Sequence, residues 1–135
     1  DFSDLFPSMH GKEGLILFEV NEVIRLFGSV QGYEVIAEYP LKLSGEPNPR
    51  KLDWIWCKTG KVVHASEIEG CNASEKSIVS DKRKFEQFPK AKHYVVTYSV
   101  RFERNEEWTN LAEKTNKIRK LLGNSAKHIS DQKVD

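Results

Sequence analysis

The stretch LDWIWCKTGKVVHASEIEG, residues 52–70, decides the fold prediction. Aromatic and β-branched residues, which strands prefer, stand on both sides of the short segment 58–60, and that segment ends in glycine. A glycine-containing connection of this length is typical of a hairpin turn. The stretch therefore predicts two antiparallel strands joined by a tight turn, and the rest of the chain is interpreted around them.

Three carboxylates lie on this predicted hairpin. Strand side chains alternate between faces, so Glu67 and Glu69 share one face of the second strand. A symmetric hairpin sets Asp53 opposite Ala65 and diagonal to Glu67, within reach of one cation. Acidic residues are uncommon inside strands, and clusters of carboxylate oxygens suit Mg²⁺ or Mn²⁺. The alternative is that these residues form the solvated polar face of a half-exposed strand pair.

Length and composition fit one globular domain. The chain has 135 residues, of which 30% are charged and 39% apolar, and it contains no apolar run long enough to cross a bilayer. Its two cysteines, Cys57 and Cys71, lack the spacing of a zinc site, and a reducing compartment suits both. We therefore expect a cytoplasmic protein without a membrane partner. Because the sequence begins with Asp1 rather than Met, it is either an excised domain or a trimmed chain, and we expect it to be part of a larger parent chain.

The net charge of +1 gives no global electrostatic case for nucleic-acid binding. The basic residues are nevertheless clustered in two segments, 82–93 and 114–120. Either segment could face phosphate groups or form a solvated helix surface, and the second interpretation is favoured for 114–120.

The remaining elements follow from periodicity and stop signals. Apolar residues at helical spacing predict a helix from residue 11 or 12 to Phe27, ended by Gly28. Ser74 is the expected N-cap of a later helix. The full prediction is an αβββαβα order in an α/β (α+β) fold with a mixed central sheet flanked by helices: helix 11–27, strand 33–43, the hairpin 52–70, a helix from 74 to before Pro89, strand 92–102 and helix 105–122. We expect one domain over 1–123 and a polar tail over 124–135.

Other candidate side chains have a simpler interpretation. Trp54 and Trp56 point away from Asp53 on the predicted strand, and rings of this size are typical of a core beneath a sheet. His64 lies on the face opposite Glu67 and is interpreted as a packed histidine. The sequence contains no glycine-rich phosphate loop and no recognisable serine-hydrolase arrangement.

The order of elements together with the acidic residues resembles the restriction-endonuclease-like, or PD-(D/E)XK, nuclease superfamily, over residues 12–122. In that family an Asp opens the second strand and an acidic-x-Lys triplet ends the third. Asp53 matches the Asp and Glu67 matches the acidic position. Two positions depart from the pattern, because Glu69 stands where Lys is usual and Leu52 stands where Pro is usual. The chain thus resembles an acidic-x-acidic variant.

This resemblance implies a metal-dependent endonuclease domain that hydrolyses DNA phosphodiester bonds. Glu69 would act as a ligand or as a base, and Lys82 or Lys84 from the following helix could reach back over the site. The residues implied are Asp53, Glu67, Glu69 and Lys84 as catalytic; Asp53, Glu67 and Glu19 as ligands of Mg²⁺ or Mn²⁺; and Lys82, Lys84 and Arg101 as contacts to the nucleic-acid backbone.

A second hypothesis is that the chain has the same fold but does not hydrolyse DNA. The loss of the usual Lys at position 69 is also consistent with a non-catalytic module that binds nucleic acid or a protein partner. Under the first hypothesis the partners are the DNA phosphate backbone and, because many such nucleases dimerise, a second copy or neighbouring domains of the parent chain.

Overall fold

The computed structural model describes residues 17–70, 73–98 and 104–130, and it describes side chains for 20–70, 73–98 and 112–130. The elements alternate as expected for an α+β domain, which confirms the coarse fold class. They are helices α1 (Leu17–Val30), α2 (Glu75–Phe85) and α3 (Arg104–Leu122), and strands β1 (Glu34–Leu41), β2 (Arg50–Lys58), β3 (Lys61–Gly70), β4 (Lys92–Tyr98) and β5 (Lys127–Ser130).

The five strands form one mixed sheet in the order β1-β2-β3-β4-β5. β1, β2 and β3 are antiparallel neighbours, whereas β3, β4 and β5 run parallel. Parallel neighbours need a crossover connection, and α2 and α3 supply it. β1 lies at an edge of the sheet, which explains how Pro40 is accommodated without a ladder donor.

Each face of the sheet supports its own apolar cluster. α1 covers one face, and α2 and α3 cover the other, so the sheet is buried on both sides, as its near-continuous apolar stretches require. The cluster on the α1 face contains Val20, Ile24, Trp54, Trp56, Tyr94, Val96 and Ile129. The cluster on the opposite face contains Leu41, Leu52, Ile55, Ala65, Ile78, Phe85, Val95, Ile118 and Leu122.

The hairpin is present, but its register differs from the prediction. Thr59 and Gly60 both have positive φ, 49° and 77°, as a two-residue type I′ turn requires. The two-residue turn moves the register by one residue, and a shift between positions 56 and 57 moves it by one more, so that Ala65 pairs with Ile55 rather than with Asp53. A bulge of this kind is not visible in an alternating pattern.

The predicted tail contains a strand. β5 pairs with β4, and three of its four residues are buried, so the expectation of a purely polar tail over 124–135 was wrong. His128 links β5 to α3 and to β4 through hydrogen bonds of its two ring nitrogens. Arg119 Nε donates to His128 Nδ1 at 3.2 Å, which leaves Nε2 to donate to Thr97 Oγ1 at 2.8 Å. Burial and the charge of Arg119 lower the pKa of His128 to about 4, consistent with a neutral ring.

The sequence predicted that α1 ends at Gly28, and this prediction was wrong. The helix continues to Val30, and Gly28 is buried inside it. A Cβ at this position would lie 2.7 Å from both Trp56 Cε2 and Val35 Cγ2. The glycine therefore permits close contact between α1 and the sheet. None of the described helices has the length and apolar character needed to cross a membrane.

We expect Gly28→Ala to destabilise the protein by about 1–3 kcal/mol, because a methyl group must displace packed side chains. Ser29→Ala is the matched control, since Ser29 is the next residue of α1 and is exposed. Urea unfolding monitored by tryptophan fluorescence measures both. Equal midpoints for the two variants would contradict the packing role of Gly28.

Candidate functional site

The site lies where β2 and β3 separate. Their described pairing runs from the turn to Trp54↔Ser66, after which β2 stays paired with β1 and β3 with β4. Extending the register by one residue on each strand sets Asp53 across from Glu67, closer than the predicted diagonal. We call the point beyond Trp54↔Ser66, where β2 and β3 separate, the fork. Asp53 and Glu67 are therefore the first side chains beyond the fork.

In β1 and β2 the alternation of side chains between the two faces of the sheet is interrupted at this point. Leu52 and Trp54 are two residues apart and should share a face, yet they pack in opposite clusters. Val35 and Tyr39 of β1 differ in the same way. The paired positions Ala37↔Trp54 and Tyr39↔Leu52 bracket the change, so it falls at the residues between them.

Glu38 is the residue of β1 at the face change, and it lies across from Asp53. Its φ is 50°, in the left-handed region that non-glycine residues rarely adopt. Asp53 takes the corresponding position in β2 and turns its carboxylate toward β3, where Oδ2 accepts a hydrogen bond from Ile68 N at 2.8 Å. That bond takes the place of a ladder bond at the fork and fixes the carboxylate between the strands.

Glu67 is the buried centre of the site. Its exposed fraction is 3%, and Lys84 Nζ donates to its Oε1 at 3.0 Å. Burial first, and then the charge and hydrogen bond of Asp53, raise the pKa of Glu67 to about 8, although Lys84 acts in the opposite direction. The two predicted carboxylates are thus within hydrogen-bonding distance of one another, with a lysine beside them.

Asp81 completes the site and was missed from sequence. It lies on α2 with an exposed fraction of 2%, and one of its carboxylate oxygens lies within 4.8 Å of those of Glu67 and Glu69. Oδ2 of Asp81 has no hydrogen-bond partner among the described residues. Its pKa is raised, first by burial and then by the hydrogen bond that its protonated carboxyl group donates to Glu69. A signal existed, because Asp81 falls on the inward stripe of α2 between Ile78 and Phe85.

The other predicted site residues fall into three groups. Glu69 and Lys84 lie in the cluster. Lys82 instead donates to the carbonyl of Leu121 at 2.8 Å, at the end of α3. Glu19 and Arg101 lie outside the residues whose side chains the structure describes.

α2, which supplies Asp81 and Lys84, begins as predicted. The Ser74 hydroxyl accepts a hydrogen bond from Ser77 N at 3.2 Å, so Ser74 is the N-cap. This start sets the helix phase that turns Asp81 inward.

The tryptophans and His64 are core residues, as predicted. Trp54 Nε1 donates to Asn21 Oδ1 at 2.7 Å and so links β2 to α1. His64 stacks on Trp56 with ring centroids 3.9 Å apart. Burial, with a smaller effect of His93, lowers the pKa of His64 to about 3, so the ring is neutral at physiological pH.

The left-handed backbone of Glu38 leads to a stability prediction. We expect Glu38→Gly to be more stable than Glu34→Gly by about 1–2 kcal/mol, because glycine removes the left-handed penalty only at position 38. Both positions are exposed on β1, so the entropy cost of glycine cancels in the comparison. Urea midpoints measure the difference, and a less stable Glu38→Gly would contradict the strained conformation.

No family model matches the chain, and no curated protein or solved structure gives a significant match. The functional assignment therefore depends on the geometry of the carboxylate cluster.

Proposed function

We propose that this chain is a divalent-cation-dependent endonuclease domain that hydrolyses DNA phosphodiester bonds. The observation that supports the proposal best is the convergence of Glu67, Glu69 and Asp81 within 4.8 Å, beside Asp53 at the fork and with Lys84 Nζ 3.0 Å from Glu67. Buried carboxylates repel each other unless protons or cations neutralise them. The cluster therefore favours binding of a cation.

The donor set fits a hard divalent cation such as Mg²⁺ or Mn²⁺. All the donors are carboxylate oxygens, which these ions prefer. Asp81 Oδ2 is buried without a hydrogen-bond partner among the described residues and is available as a ligand. Glu67, Glu69 and Asp81 would hold the ion, with Asp53 as the neighbouring ligand from β2. When bound, the cation supplies Lewis acidity toward a phosphate oxygen and lowers the pKa of a water molecule.

Lys84 takes the role that Glu69 cannot fill. Glu69 stands where the resembled family has its Lys and cannot provide positive charge. Lys84 reaches the same site from α2, and its side chain is 13% exposed, so its ammonium group is held close to the carboxylates. We assign it to offset the negative charge that builds up on the phosphate during the reaction.

The acidic residues have separate roles in this proposal. Asp53 is held in place by the N–H of Ile68 and contributes charge at the fork. Glu69 is only partly buried, so it is the carboxylate best able to accept a proton from the attacking water. Glu67 and Asp81 would have to give up their protons to hold a cation, because their raised pKa values belong to the cation-free site.

The Lys84–Glu67 pair favours a second candidate, the non-catalytic module. The side chains of the pair are 13% and 5% exposed, and the positive charge of Lys84 at this position offsets negative charge of the cluster without any metal ion. With Asp81 protonated, the cluster can serve as a structural polar network between α2 and the sheet. The chain would then bind nucleic acid or protein through another surface.

One assay separates the two candidates. The purified chain is incubated with supercoiled plasmid or single-stranded DNA in Mn²⁺, in Mg²⁺ and in EDTA, and thermal unfolding is followed under the same conditions. The proposal expects cleavage and a raised unfolding temperature with either cation, and neither effect in EDTA. DNA binding without cleavage, together with an unfolding temperature that does not respond to the cations, supports the module instead.

A further inference from the structure

A cavity lies between the start of α2 and the C-terminal half of α3. Its volume is about 610 Å³, within the range of about 300–1,000 Å³ typical of ligand sites. Ala73, Ile118 and Leu121 provide an apolar floor. We call this cavity and its rim the basic groove.

Three lysines of α3 form the rim of the basic groove. Lys114, Lys117 and Lys120 recur every third residue and line the same cavity, while Glu75 is the acidic residue of its lining. Lys117 also lies 4.0 Å from Glu113, but both side chains are more than two-thirds exposed, so that ion pair contributes little. The rim therefore has a net positive charge over an apolar floor.

The three basic residues in the last turn of α2 make contacts within the domain. Lys82 donates to the carbonyl of Leu121, Arg83 pairs with Glu46 at 2.8 Å and Lys84 pairs with Glu67. These contacts are internal to the domain. The basic side chains that α2 contributes to segment 82–93 are thus engaged within the domain, whereas three lysines of segment 114–120 line the basic groove.

We propose that the basic groove binds an acidic peptide segment of a protein partner. Carboxylates of the peptide would pair with the lysines of the rim, and an apolar side chain between them would cover Ile118 and Leu121. The phosphates of a nucleic-acid backbone could pair with the lysines of the rim, but the backbone has no aliphatic group to pack on the apolar floor. The combination of the two surfaces favours an acidic amphipathic helix, which places both kinds of side chain on adjoining faces.

The test uses a defined probe and two matched double variants. The probe is a fluorescein-labelled peptide of glutamates with leucines three and four residues apart, and anisotropy measures its binding to the full chain. Lys117→Glu with Lys120→Glu is the groove variant. Lys58→Glu with Lys61→Glu is the control, because all four lysines are exposed and the change in net charge is the same.

The proposal expects the groove variant to bind about tenfold more weakly than the native chain, because like charges then face each other, while the control stays near the native affinity. Replacing the leucines of the peptide with serine should also weaken binding, and added salt should do the same. Equal loss in both variants, indifference to the leucines, absence of binding, or stronger binding of single-stranded DNA to the groove would overturn the proposal.

Discussion

Asp53→Asn is expected to lower cation-dependent DNA cleavage by about 100- to 10,000-fold. A bound cation contributes several kcal/mol of transition-state stabilisation, and each 1.36 kcal/mol is worth about tenfold in rate. Asn removes the negative charge at the fork, but its amide oxygen can still accept the hydrogen bond from Ile68 N. The variant should therefore fold normally and lose activity. Initial cleavage rates in Mn²⁺ with supercoiled plasmid measure the effect.

Glu34→Gln is the control for this variant. It removes one carboxylate from an exposed position on β1, away from the cluster, and should leave the rate unchanged. Urea unfolding of both variants shows whether lost activity reflects lost structure. Full cleavage by a folded Asp53→Asn chain would remove Asp53 from the proposed site.

The free energy of unfolding of the cation-free protein is expected to fall as the pH rises from 6.5 to about 8. The pKa of Glu67 is about 8 in the folded state against 4.5 for an ordinary glutamate, so in this window the folded state holds a proton that the unfolded state has released. Stability falls with pH wherever the folded state binds more protons. The slope for one such group is at most about 1.4 kcal/mol per pH unit, and Asp81 acts in the same direction.

The buried histidines act in the opposite direction at lower pH. The pKa values of His64 and His128 are about 3 and about 4 when folded, against 6.5 for an ordinary histidine. Their contribution is complete only about one pH unit above 6.5 and is lost as the pH falls toward the folded values. The upper part of the window, above about pH 7.5, therefore reports on the carboxylates alone, and below it the histidines oppose part of their effect.

Glu67→Gln tests the source of this slope. Gln resembles the protonated carboxyl group, so the variant should lose much of the decline between pH 6.5 and 8, while Glu34→Gln should keep it.

Mn²⁺ should stabilise the native chain more at pH 8 than at pH 6.5, because protons compete for the same oxygens. Urea unfolding at each pH measures both effects. Stability that is constant or rises over this window in the native chain would contradict the raised pKa.

The sequence by itself determined the features that depend on local patterns. The hairpin around residues 58–60, the helix that ends at Leu122, the Ser74 cap and the tryptophan core all follow from periodicity and turn residues over a few positions. It also identified Asp53 and Glu67 as carboxylates that meet, since only their order on two adjacent strands was needed.

Tertiary structure alone decided how those parts fit together. The bulge beside Trp56 and the left-handed Glu38 set Asp53 across from Glu67, and Asp81 enters the site because α2 packs on that face of the sheet. β5 is a strand because β4 offers an open edge to a short segment with a weak pattern of its own. The physical reason is common to all of these features: register, bulges and edge pairing depend on contacts between residues far apart in the chain, whereas sequence periodicity reports only on near neighbours.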